Sequence, residues 1–228
     1  MKYTALLLDA DDTLLDFKSA EKHALAEAFD SLGLPYGDGI FDVYHRVNDA
    51  LWKAYERKEI EKSAIRVGRF RDLFAETGMK GDPEILADEY VEKLSMQGQM
   101  IPGARDFLEK LQGKFELFAI TNGIKSVQES RFAEADINKY FDGVFISETV
   151  GVGKPDKRYF DFVLAAAKEK DPAKLLVIGD SPTSDVKGAQ NAGLNCVWFD
   201  PHGADYPLDT PPTFTARSYD EILNILEI

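Results

Sequence analysis

Short apolar runs alternate with helical patterns along much of this chain. Residues 3–8 are almost continuously apolar, as expected of a parallel strand that is buried on both faces. Similar runs occur at residues 115–121, 143–147, 175–180 and 195–200. Because helical segments separate most of these runs, the pattern predicts an α/β fold with a doubly wound parallel sheet.

The stretch that follows the first predicted strand carries helical periodicity only. Four helices are indicated there, with Ser19 as the N-cap of the first, Gly78 at the end of the third and Asp82 as the N-cap of the fourth. The sequence therefore predicts two domains, namely a sheet domain made of residues 1–16 and 99–228 and an all-helical domain inserted at residues 17–98.

Three features of the C-terminal half concern structure only. The segment SYDE at residues 218–221 matches a capping box that begins the last helix. The proline-rich loop at residues 201–212 is predicted to be a connection. Cys196, the single cysteine, lies in the apolar run NCVWF and is predicted to be a small buried hydrophobic residue.

Three carboxylates follow the first apolar run. Asp9, Asp11 and Asp12 lie at the carboxyl end of the predicted strand, where open α/β sheets bind their ligands. Crowded carboxylates repel one another and are costly to desolvate unless a cation or a proton offsets them. A solvated acidic turn with an Asp helix cap explains the three acids equally well, so this segment alone leaves both interpretations open.

Polar groups also follow the later apolar runs. These groups are Thr121 in ITNG, Lys154 in GVGKPD, and Asp180 and Asp185 in GDSPTSD. Each alone is typical of a turn or a helix start. Since the carboxyl ends of parallel strands share one edge of a sheet, we expect these groups to converge. Carboxylates beside an ammonium and a hydroxyl suit Mg²⁺ and a phosphoryl group that bridges the metal to the lysine.

Composition narrows the range of partners. Forty acidic residues against 27 basic ones give a formal charge of −13, which argues against nucleic-acid and anionic-membrane partners. No apolar stretch approaches the ~18 residues of a membrane span, and no signal peptide is recognisable. We expect a reduced, cytoplasmic protein that is a monomer or a weak homo-oligomer. A small anionic substrate stays compatible, provided that cations at the site outweigh the global charge.

In these motifs the chain resembles the haloacid dehalogenase superfamily over its whole length. DADDT resembles the first motif of that superfamily, D-x-D-x-T, while Thr121, Lys154 and GDSPTSD resemble the second, third and fourth motifs. The helical insert occupies the position of the superfamily's cap domain. One departure is Asp12, where many members have glycine, and we assign Asp12 to helix capping or to the surface.

The segments VNDALW, ISETVGVGKPDKRYF and GDSPTSDVKGAQNAGLN are similar to a branch of bacterial pyrimidine 5′-nucleotidases that dephosphorylate noncanonical nucleotides. The resemblance implies a Mg²⁺-dependent phosphomonoesterase that works through an aspartyl-phosphate. Asp9 is then the nucleophile and Asp11 the general acid and base. The metal would be held by Asp9, the backbone carbonyl of Asp11, and Asp180, while Asp185 holds a metal-bound water or orients Lys154.

The same resemblance implies a phosphate site and a substrate-binding cap. The groups expected to bind the phosphoryl oxygens are Thr121, Lys154 and the backbone amides near Asn122 and Gly123. Aromatic residues in or next to the insert are candidates for stacking on a nucleobase, although aromatics at helical spacing are also typical of a core. These candidates are Phe17, Trp52, Tyr55 and Phe70. The resemblance implies a pyrimidine nucleotide as the substrate, and we expect a monophosphate over a diphosphate or triphosphate because a single phosphoryl pocket is evident.

Other functions remain open at this point. A phosphatase or mutase for phosphorylated sugars or phosphoglycolate would use the same motifs. A 2-haloacid dehalogenase would share the fold and the nucleophile, but it attacks carbon and needs no acid at the position of Asp11. A signalling receiver domain has no helical insert after its first strand. A non-catalytic relic would show a damaged motif, and none is damaged here.

Overall fold

Six strands form one parallel sheet within the part of the chain that the computed structural model describes, residues 2–204 and 210–228. The strands are β1 (Ala5–Asp9), β2 (Glu116–Thr121), β3 (Gly143–Ile146), β4 (Leu175–Gly179), β5 (Asn195–Phe199) and β6 (Phe214–Ala216). Their order is β3-β2-β1-β4-β5-β6, with every pair parallel. The predicted doubly wound sheet is confirmed. The three residues of β6 were not predicted, because so short a segment shows no apolar run.

Helices account for most of the remaining described residues. They are α1 (Phe17–Ser31), α2 (Ile40–Glu56), α3 (Ser63–Thr77), α4 (Pro83–Ser95), α5 (Ala104–Leu111), α6 (Lys125–Glu134), α7 (Ser147–Val150), α8 (Lys157–Ala166), α9 (Lys187–Ala192) and α10 (Tyr219–Leu226). Among these described helices, none is long and apolar enough to cross a membrane. Residues 205–209 of the predicted connection lie outside the described residues.

The chain divides into two compact units. The sheet unit comprises Met1–Phe17 and Gln99–Ile228, and the helical unit comprises Lys18–Gly98. This division assigns Phe17 to the sheet unit, whereas the sequence places residue 17 in the inserted domain. The interpretation of the two units as a catalytic core and a cap stays a prediction.

Each face of the sheet is covered by its own apolar cluster. Leu6 and Leu8 of β1 point into a cluster that includes residues of α5 and α10, whereas Leu7 points into a cluster that includes residues of α8 and α9. Successive side chains of a strand alternate between faces, so a strand with both faces covered must be apolar throughout. This double burial explains the continuous apolar run at the start of the sequence.

The helical unit has an aromatic core with a polar network beside it. The rings of Tyr44, Phe70 and Tyr90 lie 5.4–5.5 Å apart, centroid to centroid. The buried carboxylate of Glu21 accepts a hydrogen bond from Asn48 Nδ2 at 2.8 Å. The buried guanidinium of Arg69 donates to Asn48 Oδ1 at 3.3 Å. The four helices predicted for this region are confirmed.

Helix ends agree with the sequence signals at some positions and differ at others. Asp82 caps α4 by accepting the Glu84 amide at 2.9 Å, as predicted. The prediction for Ser19 is wrong, because α1 already begins at Phe17 and the Phe17 amide donates to Asp12 Oδ1 at 3.0 Å. Asp12 thus has the capping role assigned to it. Because Asp12 lies five residues before the helix, it does not mark the residue at which α1 begins.

Half of the predicted capping box forms at the start of α10. The Glu221 amide donates to Ser218 Oγ at 3.2 Å. The Glu221 carboxylate, however, accepts the Arg217 amide at 2.7 Å. The reciprocal bond of a capping box would go to the amide of Ser218. The bond that Glu221 accepts is therefore displaced by one residue toward the N-terminus, from Ser218 to Arg217.

Candidate active site

The centre of the sheet brings the polar strand ends together. Asp9 is the last residue of β1, Thr121 is the last residue of β2, and Asp180 directly follows β4. Strand β1 lies between β2 and β4, and all three run parallel. These three side chains therefore emerge side by side at one edge of the sheet.

Lys154 links two of the acids. Its Nζ contacts Asp9 Oδ1, lies 2.7 Å from Asp185 Oδ1 and 3.4 Å from the carbonyl oxygen of Ile120. Burial alone would lower the pKa of Lys154, but the neighbouring carboxylates of Asp185 and Asp9 outweigh it and raise that pKa. The lysine is thus a buried, charged ammonium held against the candidate nucleophile.

Asp9, Asp180 and Asp185 form a cluster of carboxylates. Each offers an oxygen that lies within 4.8 Å of those of the other two. Burial, with a contribution from the charge of Asp185, raises the pKa of Asp9 to about 8. Burial and the charge of Asp9 likewise raise the pKa of Asp180 well above its usual range. One ammonium does not offset three carboxylates, and an all-oxygen donor set with excess negative charge fits a hard divalent cation.

Hydrogen bonds from neighbouring groups hold Asp180 and Asp185 in place. The Asp180 amide donates to Thr13 Oγ1 at 3.0 Å, and the indole nitrogen of Trp198 donates to the Asp180 carbonyl oxygen at 2.8 Å. Asp185 lies in a π-helical turn, Pro182–Val186, where its Oδ2 accepts the Ser181 amide at 3.1 Å. The other oxygen of Asp185 accepts from Lys154, which is the contact that the predicted role in orienting the lysine requires.

The loop after β2 fixes Lys154 and the Thr121 hydroxyl. The Asn122 side chain accepts the Lys154 amide at 2.9 Å and donates to the Lys154 carbonyl oxygen at 2.8 Å. Thr121 Oγ1 accepts a hydrogen bond from the backbone amide of Gly123 at 3.0 Å and another from the side-chain Nε2 of Gln128 at 2.7 Å. With two bonds accepted, the hydroxyl has its hydrogen left to donate, as a phosphoryl oxygen requires.

Two residues of α6 complete the surroundings of Asp11, and sequence reasoning missed both. Arg131 Nη1 contacts Asp11 Oδ1, and Gln128 Nε2 donates to Asp11 Oδ2 at 2.8 Å. Both side chains belong to the buried face of α6, together with Val127 and Phe132. Polar residues on an otherwise apolar helix face were the signal that could have revealed them.

The four aromatic candidates for base stacking differ in how deeply they are buried. Phe17 is partly buried, with Arg131 Cζ 5.4 Å from the centroid of its ring. Trp52 and Tyr55 are partly buried and pack edge to face, 6.0 Å apart. Phe70 is fully buried in the aromatic core of the helical unit, so its ring belongs to that core and we withdraw it as a base-stacking residue.

Known proteins are similar to this chain over nearly its whole length. The family model for haloacid dehalogenase-like hydrolases matches residues 3–193. The pyrimidine 5′-nucleotidase PynA of Streptococcus pneumoniae is 37% identical over 228 residues, which cover 100% of this chain and 96% of that protein. The pyrimidine 5′-nucleotidase YjjG of Escherichia coli is 32% identical over 226 residues, which cover 99% of each.

A solved structure adds the same evidence for the fold. The crystal structure of the HAD-hydrolase YfnB from Bacillus subtilis, bound to magnesium, is 34% identical in sequence and has a TM-score of 0.95. The similarity covers 100% of both chains. Family model, relatives and fold agree: this chain belongs to the haloacid dehalogenase-like hydrolases.

Proposed function

We propose that this hydrolase is a Mg²⁺-dependent phosphomonoesterase that acts on pyrimidine nucleoside 5′-monophosphates. The observation that carries the chemistry is the carboxylate pair Asp9 and Asp11 at the end of the central strand, with a buried ammonium, that of Lys154, against Asp9. Two relatives support this substrate. Both are pyrimidine 5′-nucleotidases, they are 37% and 32% identical to this chain, and the similarity covers nearly the whole length of each.

In the first step Asp9 attacks the phosphorus atom of the ester. A bond forms between an Asp9 carboxylate oxygen and phosphorus while the bond from phosphorus to the nucleoside oxygen breaks, which gives an aspartyl-phosphate. Asp11 delivers a proton to the departing 5′-oxygen. General acid catalysis of this kind contributes ~10²–10⁴-fold.

In the second step water attacks the phosphorus atom of the aspartyl-phosphate. Asp11, now ionised, takes a proton from that water, the bond between Asp9 and phosphorus breaks, and inorganic phosphate is released. The Thr121 hydroxyl and the Lys154 ammonium bind the phosphoryl oxygens, and Asn122 holds the backbone of Lys154 in place. The two steps leave the enzyme unchanged.

Mg²⁺ would be held by Asp9, Asp180 and the backbone carbonyl of Asp11. Bound there, the ion would offset the crowded carboxylates and stabilise negative charge on the phosphoryl oxygens. A chelator should therefore abolish turnover, and added Mg²⁺ should restore it. Ca²⁺ should support turnover poorly, because its larger and looser coordination shell misplaces the nucleophile and phosphorus. Full activity in excess chelator would rule out the metal.

The test of the substrate is a phosphate-release panel with kcat/KM for each compound. It contains pyrimidine and purine monophosphates, the matching diphosphates and triphosphates, sugar phosphates and phosphoglycolate, with halide release from 2-chloropropionate as a further arm. We expect the highest kcat/KM for pyrimidine monophosphates such as dUMP and TMP. A preference for sugar phosphates would overturn the nucleotide substrate alone, whereas halide release without phosphate release would overturn the phosphatase.

The nucleophile is tested by Asp9→Asn. An amide is nearly isosteric with the carboxylate but does not attack phosphorus, so kcat should fall by on the order of 10⁴-fold or more. Asp12→Asn is the matched control in the same motif, because asparagine still caps α1. Near-normal turnover by Asp9→Asn, or an equal loss in both variants, would contradict the assignment.

A further inference from the structure

Helix α6 holds the Asp11 carboxylate at both of its oxygens. Arg131 Nη1 contacts Oδ1, and Gln128 Nε2 donates to Oδ2 at 2.8 Å. Arg131 Nη1 also donates to Gln128 Oε1 at 3.2 Å, so the two side chains support each other. Arg131 and Gln128 are 0% and 1% exposed, whereas the Asp11 side chain is 26% exposed. A partly exposed acid is thus gripped by two buried donors.

Stability does not account for this arrangement. Burying a guanidinium is costly, and a well-packed apolar side chain at the same place is often at least as stabilising. Asp11 also needs no partner for its own solvation, because water reaches it. Two buried polar side chains on a helix face that otherwise packs apolar residues therefore indicate a demand on the geometry of Asp11 itself.

The side-chain amide of Gln128 that bonds Asp11 also donates to the hydroxyl of Thr121, which is proposed to bind the phosphoryl group. Gln128 Nε2 lies 2.7 Å from Thr121 Oγ1. The glycine at position 123 leaves room for it, since a Cβ there would lie 2.7 Å from Gln128 Cδ. One side chain thereby sets the distance between the proton-transfer carboxylate and a phosphoryl ligand, which are the two groups that must face the same substrate.

We propose that Arg131 and Gln128 are positioning residues, which fix the orientation of the Asp11 carboxylate toward the ester oxygen and then toward the attacking water. This inference rests on the proposed function. Held at two points, the carboxylate loses rotational freedom before the substrate arrives, and proton transfer meets a group already aligned. The ring of Phe17 packs against the guanidinium and limits its movement.

The test separates alignment of the acid from general damage by changing the leaving group. A nucleoside 5′-oxygen needs a proton to depart, whereas p-nitrophenolate does not. In Arg131→Met and in Gln128→Leu, the single-turnover rate with a nucleoside monophosphate should fall by on the order of 10²-fold. In Arg131→Met the first turnover of p-nitrophenyl phosphate should keep its rate, and a stoichiometric burst of p-nitrophenolate should precede slow turnover, because the water step still needs Asp11. Gln128→Leu also loses the bond to Thr121 Oγ1, so it should slow p-nitrophenyl phosphate too, but much less than the nucleoside monophosphate.

A double-mutant cycle with Asp11→Asn is the second readout. If the two residues act through Asp11, adding Arg131→Met to Asp11→Asn should cause little further loss. Arg158→Met is the control, because it removes another ion-paired arginine of the sheet unit, whose exposed side chain pairs with Asp156. Its rates should equal those of the unchanged enzyme with both substrates.

Thermal melting reports whether each variant is folded, and Gln128→Leu carries the test if Arg131→Met does not fold. Equal losses with both leaving groups, fully additive losses in the cycle, or unchanged rates in folded variants would each overturn the positioning role. An unchanged enzyme that releases phosphate from no ester would instead reject the proposed function. The two failures are thus distinguishable.

Discussion

At the scale of single residues, the site depends on a close approach that one glycine permits. Gly179 ends β4, and a Cβ at this position would lie 2.3 Å from both Cγ and Oδ2 of Asp185. Asp185 in turn accepts from Lys154 Nζ at 2.7 Å. The absence of a side chain at position 179 is therefore a condition for the lysine to be oriented by Asp185.

Gly179→Ala should weaken catalysis without touching any reacting atom. The methyl group would displace Asp185 and loosen Lys154, so we expect kcat/KM to fall by about 10–100-fold, as when groups that support metal or phosphate ligands are removed. Steady-state kinetics at saturating Mg²⁺ measures this. Gly37→Ala is the matched control, because a Cβ at Gly37 meets no atom within 4 Å. Identical kinetics for both variants would contradict the role of this close approach.

At the scale of elements, short-range polar contacts decide where helices begin. Asp82 accepts the amides of Glu84 and Ile85 at the start of α4, and Pro83 occupies the first turn, where its missing N–H costs nothing. Such signals are local in the chain, so they can be recognised in the sequence. The cap of α1 by Asp12 spans a loop instead, so the sequence indicated Asp12 as a capping residue but did not show where α1 begins.

Asp82→Ala should lower the free energy of unfolding by ~1 kcal/mol, since it leaves amides of the first turn of α4 without their acceptor. Asp82→Asn should cost much less, because its carbonyl oxygen still accepts the same bonds. Urea unfolding, monitored by circular dichroism, gives both values as shifts of the midpoint at constant slope. Equal destabilisation by alanine and asparagine would show that the charge matters and the cap does not.

Helices α1 and α2 are joined by a contact that depends on pH. His45 Nδ1 lies 2.7 Å from Glu21 Oε2, and this hydrogen bond raises the pKa of His45 even though burial opposes it. Because the folded-state pKa is raised, the stability from this pair is complete below the unfolded value of about 6.5 and is lost as pH rises through the folded-state pKa. The His45 side chain is 47% exposed, so solvent screening keeps the contribution below ~1 kcal/mol.

The measurement is the difference in thermal midpoint between the unchanged chain and His45→Gln. It should be larger at pH 6 than at pH 9. In Glu21→Gln, NMR titration should show the imidazole of His45 losing its raised pKa. A difference in midpoint that grows with pH would have the wrong sign for this pair and would refute the assignment.

At the scale of the whole molecule, a charge of −13 opposes the approach of a phosphate dianion. The Debye length shrinks from ~30 Å at 0.01 M salt to ~8 Å at 0.15 M, so remote carboxylates act only at low salt. Charges in contact with the substrate are screened much less. We therefore expect kcat/KM for a nucleoside monophosphate to rise, by less than ~10-fold, between these ionic strengths.

In the same experiment kcat should stay constant, because it refers to bound substrate. Free Mg²⁺ has to be held fixed while NaCl is varied. A fall of kcat/KM with salt would mean that local cations already attract the dianion from a distance. That result would contradict the screening argument.

Patterns that repeat along the chain gave most of the fold, because periodicity reports burial directly. Five strands were predicted to within two residues at each end, and the four helices of the insert were predicted as elements. The ends of these strands carry Asp9, Thr121 and Asp180, and parallel strands necessarily bring their carboxyl ends to one edge. Strand β6 was missed, since three residues contain too little periodicity.

Local patterns are therefore sufficient to predict the sheet, the family resemblance and the set of groups at the strand ends. Which side chains touch these groups depends on the folded chain. Gln128 and Arg131 meet Asp11 across 117 and 120 residues of chain, and Phe70 is taken into an aromatic core. Local patterns carry information on burial and helix ends, whereas a contact between distant residues depends on how helices pack, and no short segment of sequence records that.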